Sequence, residues 1–197
     1  MPLKRAIDIV GSGLALLVGL PLLIAIAAAV AIDSGFPVLY RQRRVGRGFR
    51  QFHLLKFRSM AASEGGARIT VSGDSRVTRA GRFLRATKLD ELPQFWNVLT
   101  GDMSLVGPRP EVPEYVEMFR TRYQHILSVR PGVTDIASIR FRDEEEVLAQ
   151  SLEPLREYVE RVLPVKLDLA DEYLQKRSLC LDLQILAKTL LVTLRIA

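Results

Sequence analysis

Residues 88–110 read KLDELPQFWNVLTGDMSLVGPRP, and this stretch determines the local architecture of the chain. It predicts a helix that begins at Pro93, since proline is tolerated in the first helical turn, and ends at Gly101, since glycine suits a helix end. The predicted apolar face of this helix consists of Leu92, Phe95, Trp96 and Leu99. A Gly-Pro-Arg-Pro turn follows, with a proline on each side of Arg109.

Two adjacent acids, Asp90 and Glu91, lie immediately before this helix. On a regular helix neighbouring side chains diverge by about 100 degrees, so the two carboxylates converge only where the backbone is not yet regular. In one interpretation Asp90 simply caps the helix. In the other, the pair holds a divalent cation that offsets the repulsion between carboxylate and phosphate.

Arg109 is the third candidate functional residue of the stretch. An ordinary turn with an exposed arginine is the plain interpretation. A guanidinium fixed between two prolines is also typical of preorganised phosphate recognition. Paired acids and a fixed cation are the groups needed to handle a metal-bound phosphate ester.

The composition points to an anionic partner. The 197 residues suit one domain with a net charge of +6, and a pI near 9.8 favours nucleic acid, acidic lipid or a phosphorylated small molecule. An aromatic content of 7% argues against base stacking, and no nucleic-acid partner is expected. Cys180 is the only cysteine, so an internal disulfide is impossible. His53 and His125 lie far apart and form no zinc signature.

The amino-terminal segment is strongly apolar, with no charged side chain at residues 9–32. As a straight helix its 24 residues reach about 36 Å, enough to cross a hydrocarbon core of about 30 Å. A single transmembrane helix is therefore one interpretation. A signal peptide is another, because small residues at 27–31 resemble a cleavage site.

Pro21 and the flanking charges favour a third interpretation, a re-entrant hairpin. Pro21 divides the segment into halves of about 17 Å, too short to span alone. Lys4 and Arg5 precede the segment as candidate interface cations, and positive charge would place both flanks in the cytoplasm. The basic residues that follow the segment are Arg41, Arg43, Arg44, Arg47 and Arg50. We expect a membrane-associated hairpin over 1–36 and a catalytic domain at the cytoplasmic face over 37–197.

Asp8 lies at the entry of the apolar segment, three residues after Arg5. This spacing predicts an ion pair between the two at the membrane interface.

Residues 40–60 form a basic stretch whose alternation predicts a strand or hairpin. Two interpretations stay open: a solvated basic face on anionic lipid, or Lys56 and Arg58 held on a strand toward a phosphate site. The glycines of residues 63–73 predict a loop that could act as a lid.

The remaining segments are predicted to be largely helical. Residues 76–89 have a helical pattern, with Val77, Ala80, Phe83 and Leu84 on one face. A Pro-Gly turn and a short strand follow Arg130, and the acids at 144–146 are expected to begin another helix. A helix capped by Ser151 is expected to break or kink at Pro164.

Two leucine patterns complete this prediction. One comprises Leu152, Leu155, Val159 and Val162, and the other Leu179, Leu183, Leu186, Leu190 and Leu194. The second predicts a helix at the membrane interface or packed on the domain. The overall prediction is an α+β, predominantly helical fold with a re-entrant amino-terminal helix-break-helix, a small β-hairpin and interfacial amphipathic helices.

The chain resembles the bacterial sugar transferases, the monotopic phosphoglycosyl transferases, in the short form that contains only the catalytic domain. The match runs nearly end to end, and the combination of DELPQ and GDMSLVGPRP is highly specific. It rests on KRAID (4–8), QRRVGRGFRQFHLLKFRSM (42–60), RVTRAGRFLRATKLDELPQFWNVLTGDMSLVGPRPE (76–111), RPGVT (130–134) and LDLQIL (181–186).

The resemblance implies transfer of a phospho-sugar from a UDP-sugar to a polyprenyl (undecaprenyl) phosphate, with release of UMP, as the first membrane step of glycoconjugate synthesis. It implies that Asp90 attacks the sugar-bearing phosphorus to form an aspartyl intermediate, and that Glu91 binds Mg²⁺ together with Asp90. Arg109, Arg142 and, more weakly, Lys56 would bind phosphate oxygens. The implied location is the phospholipid of the bacterial inner membrane, with the active site at its cytoplasmic face.

Two departures from the family pattern stand out. Leu20 occupies the position before Pro21 where many members carry a serine, and a leucine cannot hydrogen-bond a broken backbone. Residues 134–143 read TDIASIRFRD where many members read T-G-W-A-Q-V-x-G-R-N, which points to a different sugar preference. Two competing interpretations remain. A membrane-tethered adaptor that binds nucleic acid or acidic lipid would leave the paired acids and the rigid Arg109 unused, and a secreted protein with a cleaved leader would have a mature amino terminus near residue 30.

Overall fold

The computed structural model describes residues 2–61, 71 and 73–193. The strands are β1 (Leu39–Val45), β2 (Gln51–Phe57), β3 (Ser104–Val106) and β4 (Gly132–Thr134). The helices of the first half are α1 (Pro2–Ser34), α2 (Arg79–Thr87), α3 (Gln94–Thr100), α4 (Pro113–Met118) and α5 (Arg120–Ile126). Those of the second half are α6 (Ile136–Arg140), α7 (Glu144–Ala149), α8 (Pro154–Glu157), α9 (Leu163–Lys176) and α10 (Leu179–Thr193).

Two small sheets position the loops of the molecule. Strands β1 and β2 form the predicted hairpin, antiparallel, with Tyr40 opposite Lys56 and Val45 opposite Gln51. Strands β3 and β4 pair in parallel. The predicted short strand after Pro131 is β4, and the predicted helix at the triple acid is α7, which begins at Glu144. Most of the lid predicted at 63–73 lies outside the described residues.

Helix α1 is continuous from Pro2 to Ser34, with Pro21 inside it. The predicted interruption at Pro21 is not seen as a break in the helix. Proline already has a helical φ, so the helix continues at the cost of one hydrogen bond and some crowding against the preceding turn. The re-entrant path and the division at residue 36 stay predictions.

Both ends of α1 contact the rest of the protein. Near the start, Arg5 donates to the carbonyls of Val98 and Leu99, at 2.8 and 3.2 Å. At the other end, the carboxylate of Asp33 accepts a hydrogen bond of 2.8 Å from the amide of Ala80. These contacts bind the apolar helix to the same domain at its first and last turns.

The described hydrophobic residues form two clusters. The larger includes Val98, Met103, Val106 and Leu163, and it lies between the hairpin, β3 and the carboxyl-terminal helices. The smaller joins Ile26 and Val30 of α1 to Phe57 and Leu84. The second half of α1 is therefore held to the hairpin and α2 by buried apolar area, which contributes roughly 25 cal/mol per Å².

The predicted apolar faces of α2 and α3 are wrong in part. Helix α3 has the predicted bounds, but it buries Gln94, Asn97 and Val98, whereas Trp96 is 55% exposed. On α2 Leu84 is buried as predicted, but Phe83 is 63% exposed. The reason is the same in both helices: α1 and β2 approach from one side only, and Asn97 is drawn inward by hydrogen bonds to the backbone of His53 and Leu55 on β2.

The carboxyl-terminal third also differs from its predicted pattern. No break occurs at Pro164; the helical path from α8 to α9 instead widens into a π turn at Tyr158–Val162, which accommodates the missing proline N–H. Leu152 and Leu155 are exposed, whereas Val162 is buried in the core and Val159 packs against it, so only the second half of the first leucine pattern faces the core. Helix α10 buries Asp182 and Ile185, whereas Leu183 and Leu190 point outward. Leu194 lies outside the described residues.

The predicted fold class is confirmed in its coarse form: the protein is mostly helical, with a small two-stranded antiparallel sheet and a long apolar amino-terminal helix. Among the described helices, α1 is long and apolar enough to cross a membrane, and little of it is buried within the protein.

The approach of β3 to β4 generates a stability prediction. A Cβ on Gly132 would lie 2.2 Å from the amide nitrogen of Gly107 and 2.3 Å from its carbonyl oxygen, both backbone atoms that cannot move aside. We therefore expect Gly132→Ala to destabilise the protein by at least about 3 kcal/mol, which lowers the melting temperature by roughly 6–12 °C in detergent.

Gly13→Ala is the matched control, because no atom lies within 4 Å of the added Cβ. It should leave the melting temperature unchanged or raise it slightly, since alanine favours a helix over glycine by about 1 kcal/mol. Equal melting temperatures for the two variants would contradict the close packing of β3 on β4.

Candidate active site

The paired acids lie on a single 3₁₀ turn, Leu89–Glu91, between α2 and α3. Lys88 ends α2 in the left-handed conformation, with φ of 57°, which few residues other than glycine adopt without strain. The chain then turns sharply, and Pro93 leads into α3. The predicted irregular helix start is confirmed, and it is what allows both carboxylates to face one cavity.

Glu91 is clamped between two cations. Its Oε1 accepts hydrogen bonds from Nη2 of Arg109 at 2.5 Å and from Nζ of Lys56 at 2.9 Å. Its Oε2 lies 3.3 Å from Nη1 of Arg109. Burial alone would raise the pKa of Glu91, but the charges of Arg109 and Lys56 outweigh it and hold the pKa well below its usual value. Glu91 is therefore ionised at neutral pH. Its charge also raises the pKa of Arg109.

Asp90 is in the opposite situation. It is 5% exposed, and its buried Oδ1 has no hydrogen-bond partner among the residues that the structure describes. Burial raises the pKa of Asp90; the positive charge of Lys56 opposes this, and the neighbouring Glu91 carboxylate adds to it. No capping hydrogen bond from a side chain is found at the start of α3, so the helix-cap interpretation of Asp90 is wrong.

The Gly107–Pro110 turn is fixed by neighbouring segments as well as by its prolines. Gly107 donates to the carbonyl of Thr134 at 3.1 Å, and the carbonyl of Pro108 accepts from Gly132 at 3.0 Å. The carbonyl of Pro110 accepts a hydrogen bond of 2.9 Å from the guanidinium of Arg44 on the hairpin. The guanidinium of Arg109 thus projects toward Glu91 from a backbone with little freedom.

These side chains line one cavity of about 380 Å³. Of the residues predicted to bind phosphate, Lys56 and Arg109 reach Glu91, and Arg142 lies in the same wall and donates to the carbonyl of Val192 on α10. The cavity volume lies within the range of small-ligand sites.

Sequence reasoning missed several charged residues of the cavity wall. Arg85 pairs with Glu145, and Lys166 pairs with Glu144, so each ion pair joins two elements that are distant in sequence. Asp135 is buried in the same wall. The acids of 144–146 were assigned to a solvated helix start because one sequence does not reveal which basic residue folds opposite them.

The predicted interface cations direct their charges into the protein. Lys4 donates to Asp182 of α10 at 2.5 Å and to the carbonyl of Val106 at 3.0 Å. Arg5 satisfies the last carbonyls of α3, where basic side chains are favoured. Asp8 is buried and accepts from the hydroxyl of Ser104 and the amide of Leu105, so the predicted pair with Arg5 is wrong.

Asp90 and Glu91 are the residues of the cavity that could hold a magnesium ion. Their carboxylates line the same cavity, and among the described residues Oε2 of Glu91 makes one long contact, of 3.3 Å, with Arg109. Mg²⁺ is commonly bound by one or two carboxylates together with phosphate oxygens and water. Within residues 2–61, 71 and 73–193 no group of three or more His, Cys, Asp or Glu could hold a metal by itself.

Comparison with known proteins identifies relatives over the whole chain. The model of the bacterial sugar transferase family matches residues 1–196. A UDP-N-acetylgalactosamine-undecaprenyl-phosphate N-acetylgalactosaminephosphotransferase of Aeromonas hydrophila is 44% identical over 144 residues, which are 70% of this chain and 34% of that protein.

Two further relatives are named UDP-glucose:undecaprenyl-phosphate glucose-1-phosphate transferase. That of Klebsiella pneumoniae is 40% identical over 195 residues, which cover 96% of this chain and 39% of the relative. That of Caulobacter vibrioides is 38% identical over 192 residues, 94% of this chain and 67% of the relative. The chain thus spans between a third and two thirds of the length of these relatives.

The contrast between the two acids generates a stability prediction. Asp90→Asn removes a buried charge whose Oδ1 lacks a partner and should stabilise the protein by about 1–2 kcal/mol at pH 8, or roughly 2–8 °C in melting temperature. Glu91→Gln leaves Lys56 and Arg109 without their anion and should destabilise it by about 3–5 kcal/mol.

The pH dependence follows from the raised pKa of Asp90. A folded-state pKa above the unfolded one contributes stability at low pH that is lost as pH rises through the folded value. The advantage of Asp90→Asn should therefore grow in melting scans as the pH rises from about 4, the ordinary pKa of an aspartate, to 8. A constant or shrinking advantage would contradict the raised pKa.

Proposed function

The chain belongs to the bacterial sugar transferase family, and from this premise we propose that it transfers a phospho-sugar from a UDP-sugar to undecaprenyl phosphate and releases UMP. The observation that carries the proposal is the buried, unpartnered oxygen of Asp90 beside a carboxylate that already holds two cations. Glucose and N-acetylgalactosamine occur in the names of the relatives, and both are candidate sugars of the donor.

In the first proposed step, an oxygen of Asp90 attacks the phosphorus that carries the sugar. A phosphorus–oxygen bond to Asp90 forms, the bond to the bridging oxygen of the diphosphate breaks, and UMP departs with that electron pair. Burial raises the pKa of Asp90, and a more basic carboxylate is a stronger nucleophile once it is ionised.

In the second step, a phosphate oxygen of the polyprenyl phosphate attacks the same phosphorus. The bond to Asp90 breaks and regenerates the carboxylate, and the product is a polyprenyl diphosphate that carries the sugar. Two displacements on one enzyme group predict ping-pong kinetics.

The cations of the cavity stabilise negative charge on the transferred group. Arg109 and Lys56 are bound to Glu91 and would exchange part of that contact for phosphate oxygens. Arg142, which follows α6, also lines the cavity and would bind a further phosphate oxygen. Because Glu91 holds the first two cations in place beforehand, little reorganisation is required when the substrate arrives.

Asp90 and Glu91 are the residues that would hold Mg²⁺ when the donor is bound. The ion supplies neutralisation of phosphate charge, which lowers the repulsion that a carboxylate meets as it approaches an anionic phosphorus.

The acceptor chemistry agrees with the exposed apolar surface. The outer face of α1 is apolar, with Val18 78% exposed, and Phe83, Trp96 and Leu190 are exposed on α2, α3 and α10. A soluble protein rarely exposes so many large apolar side chains, whereas a lipid-facing surface requires them. We propose that α1 and these side chains lie in the phospholipid of the bacterial inner membrane, with the cavity at the cytoplasmic face.

The contacts at both ends of α1 support the re-entrant path. A straight helix of 33 residues is about 50 Å long, and one that crosses the membrane has its ends on opposite sides. Here Arg5 and Asp33 both bind the folded domain. A domain on one side of the bilayer reaches both ends only if α1 returns to that side or lies along the surface.

Activity is tested by incubation of the detergent-purified protein with undecaprenyl phosphate, Mg²⁺ and, in turn, UDP-glucose, UDP-N-acetylgalactosamine and UDP-galactose, with UMP as the readout. We expect UMP from at least one donor and a loss of at least about 10³-fold in Asp90→Asn. Asp168→Asn, an exposed acid on α9, is the matched control and should retain wild-type turnover.

A radiolabelled donor without acceptor should leave label on Asp90. Label on another residue, or full turnover by Asp90→Asn with deamidation excluded, would contradict the covalent mechanism.

The membrane path is tested by cysteine accessibility in a Cys180→Ser background. Leu3→Cys and Arg43→Cys place thiols at exposed positions on the two flanks of the apolar helix. Both should resist an impermeant maleimide added from the periplasmic side and react after the membrane is opened. Labelling of one of them from outside would establish a spanning helix.

A further inference from the structure

Asp135 is a buried acid of the cavity wall whose role the proposed chemistry leaves unassigned. It follows β4 directly and is the first residue before α6. It is buried, and it lines the same cavity as Asp90 and Glu91. A buried carboxylate is costly unless its oxygens are hydrogen-bonded, so its contacts indicate its function.

The carboxylate of Asp135 joins two segments. Its Oδ1 accepts from the amide and from the hydroxyl of Ser138, both at 2.6 Å, which caps α6. Its Oδ2 accepts from the backbone amide of Arg109 at 3.0 Å. One oxygen therefore serves the helix, and the other serves the Gly107–Pro110 turn.

The contact with Arg109 satisfies the backbone N–H of that residue. Pro108 and Pro110 have no N–H, so the amide of Arg109 is the only backbone donor in the Pro-Arg-Pro tripeptide. The carbonyls on either side are already held, that of Pro108 by Gly132 and that of Pro110 by Arg44. The hydrogen bond to Asp135 therefore fixes the N–H of the Pro108–Arg109 peptide, whose carbonyl is held by Gly132.

Resting on the proposed function, we infer that Asp135 is a positioning residue: it orients the backbone of Arg109 so that the guanidinium stands ready to pass from Glu91 to a substrate phosphate. The guanidinium is a planar fork, and its ability to bind two oxygens at once depends on the direction from which it approaches. The negative charge of Asp135 also favours the charged form of Arg109.

If Asp135 had a purely structural role, it would only cap α6. The two roles separate in Asp135→Asn, because asparagine caps helices about as well as aspartate. With the amide oxygen of the asparagine toward Ser138, its amino group faces the N–H of Arg109, so a donor meets a donor. The cap survives in this variant, and the contact with Arg109 does not.

The experiment is a double-mutant cycle on kcat/KM for the UDP-sugar, with Asp135→Asn, Arg109→Lys and the double variant. Lysine carries a flexible point charge with no fork to orient. We expect Asp135→Asn to lower kcat/KM about ten-fold in the Arg109 protein and less than about two-fold in the Arg109→Lys protein, with the melting temperature within about 2 °C of wild type. Ser138→Ala is the matched control, because it removes a bond to the same carboxylate and leaves the Arg109 contact intact.

Hydrogen exchange measured by mass spectrometry gives a second readout that does not require turnover. In Asp135→Asn the peptide that contains Arg109 should exchange faster, while peptides of α6 keep their protection. Equal losses of kcat/KM in both backgrounds, wild-type activity of Asp135→Asn, or unchanged exchange at Arg109 would each overturn the inference. A wild-type protein that releases no UMP from any donor would instead overturn the proposed function, and the exchange result would still report on the contact.

Discussion

The two-pronged ion pair between Glu91 and Arg109 is the interaction on which the arrangement of the site depends. It joins the turn before α3 to the turn after β3, two segments that are 18 residues apart. Lys56 arrives from the hairpin and binds the same carboxylate, so three separate elements meet at Glu91. A buried ion pair contributes little net stability, because desolvation offsets most of the attraction. Its value here is geometric: it fixes two cations beside Asp90 before any substrate is present.

The neighbouring acids show how environment assigns different roles to similar groups. Glu91 has two cationic partners and a lowered pKa, whereas Asp90 is buried beside it with a raised pKa. A pair of titratable groups whose surroundings push their pKa values apart is a common mark of acid–base or nucleophilic chemistry. The same feature costs stability, since an unpartnered buried oxygen persists only where the surrounding fold enforces it. The strained φ of Lys88, two residues away, belongs to the same pattern.

Local chemistry predicted the elements of this site, and long-range packing determined their orientation. Pro93 and Gly101 indicated the bounds of α3, and the alternation at 50–58 predicted the hairpin. Both signals are local, because helix ends and the alternation of apolar side chains depend on neighbouring residues. The exposure of Trp96 could not be predicted, since it depends on where α1 and β2 lie. Asp135 was overlooked for the same reason: its partner is the backbone of Arg109, 26 residues earlier, and no spacing rule connects them. Arg85 and Lys166 likewise have acidic partners that only the folded chain brings near.

The apolar helix is part of the site rather than a tether for it. Lys4 binds the carbonyl of Val106, and Asp8 binds the amide of Leu105, so the first turns of α1 hold strand β3 from outside. Asp182 of α10, which pairs with Lys4, also accepts a hydrogen bond from the hydroxyl of Tyr173 on α9. Helix α9 is thereby joined to the same contact. Strand β3 ends one residue before the Gly107–Pro110 turn that carries Arg109. A displacement of α1 would therefore release a half-buried lysine, two buried aspartates and the strand that positions the turn carrying Arg109. In this architecture, the attachment of the apolar helix to the domain and the geometry of the site rest on the same hydrogen bonds.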